Sequence, residues 1–148
     1  MDRTVAKKYL ILTSKWNDMI TRPLKDGAIE TLKDAGVKEE NIKHVWVPGA
    51  FEIPVAAAVA ARTKNWDAII CLGCVIKGDT AHFEYVAGPN ASGMMGVSVE
   101  TGVPIINGVL TTENVEQALN RAGIKMGNKG IEAAHAALQM TKIIDDLK

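Results

Sequence analysis

Short apolar runs alternate with longer segments of helical period along this chain. Tyr9–Thr13 ("YLILT") is an uninterrupted apolar run. Behind it Ile20, Leu24, Ala28, Leu32 and Ala35 recur at helical spacing, and Gly36 closes that segment as a C-terminal stop. His44–Val47 ("HVWV") ends in Pro48-Gly49 and leads into "AFEIPVAAAVAAR", which reads as a helix over Ala50–Ala61. Ala68–Ile76 ("AIICLGCVI") is a third strand, followed by a mostly helical stretch from His82 to Thr101. Pro104–Leu110 ("PIINGVL") is a fourth strand, and Thr111 or Thr112 is placed to N-cap the next helix, with Glu113 in its positive first turn. That helix stops near Gly123. A last one starts at about Gly127, with Ala133, Ala137, Met140, Ile144 and Leu147 on one stripe.

Apolar strands alternating with helices predict a parallel sheet covered on both faces: a three-layer α/β/α sandwich with a four-stranded sheet, flavodoxin-like, in one domain spanning residues 1–148. Ligands in such sheets bind where the strands end at their carboxyl termini. That directs attention to Ser14–Met19, Pro48–Glu52, Lys77–His82 and Asn107–Thr112, each read as a loop. The Ala50–Ala61 segment is apolar almost all round, and such a helix needs cover on every side. A small domain cannot supply that cover alone, so a homo-oligomer is expected.

Charge narrows the partners. Seventeen basic and seventeen acidic residues cancel, so neither nucleic acid nor an anionic membrane is indicated. No apolar run approaches the ~20 residues that span a bilayer. The start, "MDRTVAKKYLILT", reads better as a strand than as a signal peptide. The expected location is the cytosol, where the sequon Asn90-Ala91-Ser92 is a coincidence.

The stretch "CLGCVIKGDTAHFEYV", Cys71 to Val86, concentrates the chemistry. Cys71 and Cys74 have redox spacing, yet residues three apart on a strand face opposite ways, and redox pairs sit at helix starts. Packing is the expected role. His44, His82 and His135 have no ligand spacing, so no metal is expected. The turn "KGDTAH" leaves a central strand and opens a helix, so its backbone N–H groups and the Thr80 hydroxyl can hold a phosphate. His82 lies in the first turn of that helix, where the positive helix end favours a neutral imidazole able to take up and return a proton. A solvated histidine at a helix start is the competing reading. Glu52 stands at another helix start, where simple capping competes. Trp16 at the mouth of the first strand is either core or a stacking platform. Arg121 and Lys129, each taken alone, read as solvated surface.

Taken together, "SKWND", "VPGAFEIP", "LGCVIKGDTAHFEYV", "GVLTTENVEQALNRAG" and "GNKGIEAA" resemble the lumazine synthase family, over nearly the whole chain and in the family's order. The resemblance implies a transferase of riboflavin biosynthesis. It condenses 5-amino-6-ribitylamino-uracil with 3,4-dihydroxy-2-butanone 4-phosphate to 6,7-dimethyl-8-ribityllumazine, using no metal or redox cofactor. It implies that His82 moves protons and that Arg121, with the Asp79–Thr80 turn, binds the substrate phosphate. Trp16 would stack on the pyrimidine, while Ala50, Phe51 and Glu52 hold the ribityl chain. Val75 and Ile76 would line the ring pocket, with Lys129 and Glu132 as polar residues near the site. It further implies a site between adjacent subunits of a homo-pentamer, with Asn107, Arg121 and Lys129 coming from the neighbour.

The chain departs from the family pattern twice. Asn107 stands where a phenylalanine usually closes over the ring, and Gly88-Pro89 should kink or restart the helix that contains it. The short connection Ala122–Gly130 favours assembly of pentamers into an icosahedral shell. So does an N-terminal arm with no proline near Val5–Lys8, free to add a strand to a neighbour's sheet edge. Riboflavin synthase is a further partner that the resemblance suggests. Three other classes compete: an archaeal-type riboflavin synthase of the same fold, a non-catalytic flavin-binding shell protein, and a redox protein built on the C-x-x-C. The intact "GDTAH" turn and "GVLTTENVEQALNRAG" favour the synthase of lumazine itself.

Overall fold

The computed structural model describes residues 6–77, 82–123 and 127–148, with backbone alone for His82 and Phe83. Four strands, β1 (Tyr9–Ser14), β2 (Ile42–Val47), β3 (Ala68–Ile76) and β4 (Ile105–Thr112), form an all-parallel sheet in the order β2-β1-β3-β4. The helices are α1 (Asp18–Asp34), α2 (Ile53–Arg62), α3 (His82–Thr101), α4 (Val115–Arg121) and α5 (Lys129–Leu147). The expected three-layer α/β/α sandwich is present. Strand alternation divides its core in two. Tyr9, Ile11, Ile70 and Leu72 face Leu24, Ala28 and Leu32 of α1 and Ala134 and Ala137 of α5. Leu10, Leu12, Ile69 and Cys71 face Ile53, Ala57 and Ala61 of α2 and Val86 and Met94 of α3.

Two α-helix starts differ from the sequence reading. Ala50–Glu52 forms a short 3-10 turn, and α2 proper begins at Ile53 with Pro54 in its first turn, where a missing N–H costs nothing. α4 is capped by Asn114, not by Thr111 or Thr112. The Asn114 side chain accepts from Gln117 N at 2.9 Å, and Gln117 Oε1 accepts from Glu113 N at 2.8 Å, a reciprocal cap. The two threonines belong instead to β4, paired with Val75 and Ile76, because β3 is long enough to extend the ladder that far. Asn107–Thr112, read above as a loop, is therefore strand.

The helix α3 also runs on through Gly88-Pro89, so the expected restart is absent. Proline there removes one rung, but α3 stays pinned along its length by Val86, Asn90 and Met94, all buried. On α2, by contrast, Ile53, Ala57 and Ala61 are buried while Val55 and Val59 stay largely exposed. The apolar face that the sequence predicts has no cover within one chain. It borders a groove of about 520 Å³ beside the edge strand β2, lined by Leu12, Val45, Val47, Val55, Val59 and Trp66 among others.

Candidate functional site

With strand order β2-β1-β3-β4, the connections leave β1 and β3 toward opposite edges and opposite faces of the sheet. The crevice between the carboxyl ends of those two strands is the topological switch point, where open α/β sheets take their ligands. Three sequence-predicted segments converge there. The β1–α1 loop passes over the end of β2, with Lys15 N donating to the Val47 carbonyl at 2.8 Å and Trp16 N to the Pro48 carbonyl at 3.0 Å. It is tied to β3 by Asn17 Nδ2, which donates to the Cys74 carbonyl at 3.4 Å. Asn17 makes this possible by adopting a left-handed φ of 63°, which asparagine tolerates better than most residues. The loop thus holds the Trp16 backbone against Pro48 and anchors the next residue, Asn17, to β3 near its end.

Of the two readings of Trp16, core or platform, the structure excludes core: its side chain is 75 % exposed. Phe51 is 63 % exposed at the same edge. Neighbouring Ala50 is buried and Glu52 half-buried, with Glu52 N donating to the Gly49 carbonyl at 3.2 Å. Val75 is buried and Ile76 half-buried at the end of β3. A planar ring can therefore lie on the exposed indole, and a polar chain can follow the 3-10 turn.

Asn107, Arg121, Lys129 and Glu132 sit on β4, α4 and α5, outside these three segments. Asn107 lies opposite Cys71, five positions before the end of β4, so it stands roughly 16 Å back from the carboxyl edge. Its side chain folds onto its own strand, Oδ1 accepting from Val109 N at 3.0 Å. Arg121 ends α4 with its side chain exposed. Lys129 is the first residue of α5 and Glu132 lies in its first turn. That helix start is fixed by Asn128, whose Oδ1 accepts from Gly130 N and Ile131 N while Nδ2 donates to the Pro23 carbonyl at 3.0 Å. Asp79, Thr80 and the His82 side chain lie outside the described residues. The His82 backbone opens α3.

The other titratable candidates fall away on chemical grounds. Cys71 and Cys74 are buried on opposite faces of β3, and burial pushes both thiols up to about 12, far from a reactive thiolate. His44 Nε2 lies 2.9 Å from Thr13 Oγ1, and its ring meets Trp46 edge-on. Burial, helped by the positive Lys25, lowers its pKa to about 4, so it stays neutral and does not exchange protons near neutral pH. Among the described residues no cluster of three or more His, Cys, Asp or Glu could hold a metal ion. No helix there is long and apolar enough to cross a membrane. Sequence reasoning passed over Asn17 as an anchor of the edge. The signal was available: an asparagine just before a helix start often marks a left-handed residue.

Residues 6–145 match the protein family described as 6,7-dimethyl-8-ribityllumazine synthase. A 6,7-dimethyl-8-ribityllumazine synthase from Yersinia pestis (strain Pestoides F) is 52% identical over 146 residues, which cover 98% of this chain and 94% of that protein.

Proposed function

The chain belongs to the 6,7-dimethyl-8-ribityllumazine synthase family, and on that premise we propose how its residues divide the work of the reaction. It joins 5-amino-6-ribitylamino-uracil to 3,4-dihydroxy-2-butanone 4-phosphate, releasing phosphate and water, in riboflavin biosynthesis. The observation that carries the residue assignment is the convergence of Trp16, Ala50–Glu52 and Val75–Ile76 at the switch point. The pyrimidine stacks on Trp16 at the end of β3, where Val75 and Ile76 line its pocket, and its ribityl hydroxyls follow Ala50 and Phe51, donating to Glu52. The pyrimidine amine attacks the ketone, and loss of water gives an imine. Phosphate then leaves, and a second condensation closes the ring. Each of these steps moves a proton, and His82 at the start of α3 carries them. Incubating the protein with both substrates and following lumazine fluorescence together with phosphate release tests the assignment of the activity. A dismutation of two lumazines, or ligand binding without turnover, would replace it.

Phosphate recognition falls to Arg121 with the Asp79–Thr80 turn, since a guanidinium suits a bidentate phosphate contact. Arg121→Ala is expected to raise KM for the butanone phosphate roughly tenfold, the worth of one charged hydrogen bond, and to leave KM for the pyrimidine nearly unchanged. Equal rises for both substrates would reject the role.

The position of Asn107, well back along β4, supports a site completed by Asn107, Arg121 and Lys129 of a neighbouring subunit. So does the uncovered apolar face of α2 beside the groove at β2. The assembly is a homo-pentamer whose short α4–α5 connection suits packing into an icosahedral shell, with the N-terminal arm added to a neighbour's sheet edge. Light scattering with negative-stain imaging checks this. Uniform hollow particles are expected; isolated rings would reject the shell, and a monomer would overturn the shared site.

A further inference from the structure

The helix α3 buries Val86, Asn90, Met94 and Val97, residues spaced to share one face against the sheet and α2. Three of the four are apolar. Asn90 is the exception and is only 3 % exposed, so its amide needs a specific partner. It has one. Nδ2 donates to the carbonyl of Ala50, the first residue of the 3-10 turn, which also accepts from Ile53 N. Close by, α3 comes so near the start of α2 that a Cβ on Gly93 would lie 2.9 Å from Pro54 Cβ. Helix and turn are thus locked together at two adjacent points, one polar and one steric.

We propose that Asn90 is a positioning residue: it fixes the Ala50–Glu52 turn in the shape that binds the polyol chain of the pyrimidine substrate, and couples that turn to the helix that begins with His82. The inference rests on the assignment of Ala50–Glu52 given above. Its energetic signature separates it from a general structural role. Asn90 Oδ1 is buried with no hydrogen-bond partner among the described residues, so the cost of desolvating it offsets what the bond to Ala50 contributes. Removing the amide therefore costs little stability but frees the turn.

The test uses Asn90→Leu, which keeps apolar packing beside Val86 and Met94 while removing both the donor and the orphan acceptor, and Asn90→Ala as a second variant. KM for the ribitylamino-pyrimidine is expected to rise about tenfold in both, as for the loss of one hydrogen bond's worth of binding shared by ground and transition states. The value of kcat, KM for the butanone phosphate and the melting temperature should stay near wild type in Asn90→Leu. A pyrimidine carrying methylamino in place of ribitylamino should show no difference between wild type and variant. Unchanged KM in Asn90→Leu, or an equal rise for the methylamino substrate, would overturn the proposal. A wild-type enzyme that does not distinguish the two pyrimidines would instead overturn the assignment of Ala50–Glu52, and the proposal with it.

Discussion

Replacing His82 by alanine is expected to lower kcat about 10²-fold, with both KM values within a few-fold of wild type. The magnitude follows from what the residue is asked to do. General acid–base catalysis is worth roughly 10²–10⁴-fold. The lower end applies here because an unprotonated amine adds to a ketone unaided, so the histidine accelerates proton movements around a bond-forming step that already proceeds slowly in water. A loss confined to kcat is the mark of an interaction made in the transition state and absent from the ground state. In chain order His82 is the first residue of α3, the helix that follows β3 with its Val75 and Ile76. The alternative proton carrier, His44, is held by Thr13 and stays neutral down to a pKa of about 4. The measurement is steady-state lumazine formation, with light scattering to show that the variant's assembly matches wild type. Undiminished kcat would remove His82 from the mechanism.

The layers of this fold were legible in the sequence because they depend on local period. The runs at Tyr9–Thr13 and Ala68–Ile76 and the stripe from Ile20 to Leu32 reappear with little change, since strand and helix burial each impose a repeat that neighbouring residues show directly. What was missed depends on partners far along the chain. Thr111 and Thr112 read as N-cap candidates beyond a strand ending at Leu110, yet pairing with Val75 and Ile76 extends β4 through them. Asn90 looked like part of a chance sequon, and only the fold brings it to Ala50, forty residues earlier. Arg121 shows the opposite limit. An exposed arginine at a helix end carries no local signal of function, and its candidacy comes from the family pattern alone.

Gly130 has the tightest backbone approach among the described glycines, and for a reason the sequence does not display. In an exposed helix, glycine to alanine would be stabilising by about 1 kcal/mol. Here α5 crosses α1 so closely that a Cβ on Gly130 would meet the Leu24 carbonyl group, 2.6 Å from its carbon. The obstacle is backbone, which has no rotamer to give, so the helices must part. Gly130→Ala is therefore expected to destabilise by about 3 kcal/mol, at the upper end of overpacking costs, and to lower the melting temperature by roughly 10 °C. Gly27→Ala, on the facing helix, is the graded control. Its Cβ would meet Ile131 Cγ1 at 2.9 Å and the Asn128 amide at 3.0 Å, side-chain atoms rather than backbone, so a smaller loss is expected, part of it from the disturbed Asn128 cap. Both variants press on the Asn128 cap, Gly27→Ala through the amide itself and Gly130→Ala through the helix that it caps. Parting the helices at Gly130 strains the Asn128 bond to Pro23 and moves Lys129, the residue between them, away from its position at the start of α5. Activity at temperatures well below unfolding should therefore fall in Gly130→Ala along with stability. Thermal unfolding at fixed protein concentration, paired with turnover at low temperature, measures both. A melting temperature equal to or above wild type in Gly130→Ala would show that the α1–α5 crossing is not as tight as the structure has it.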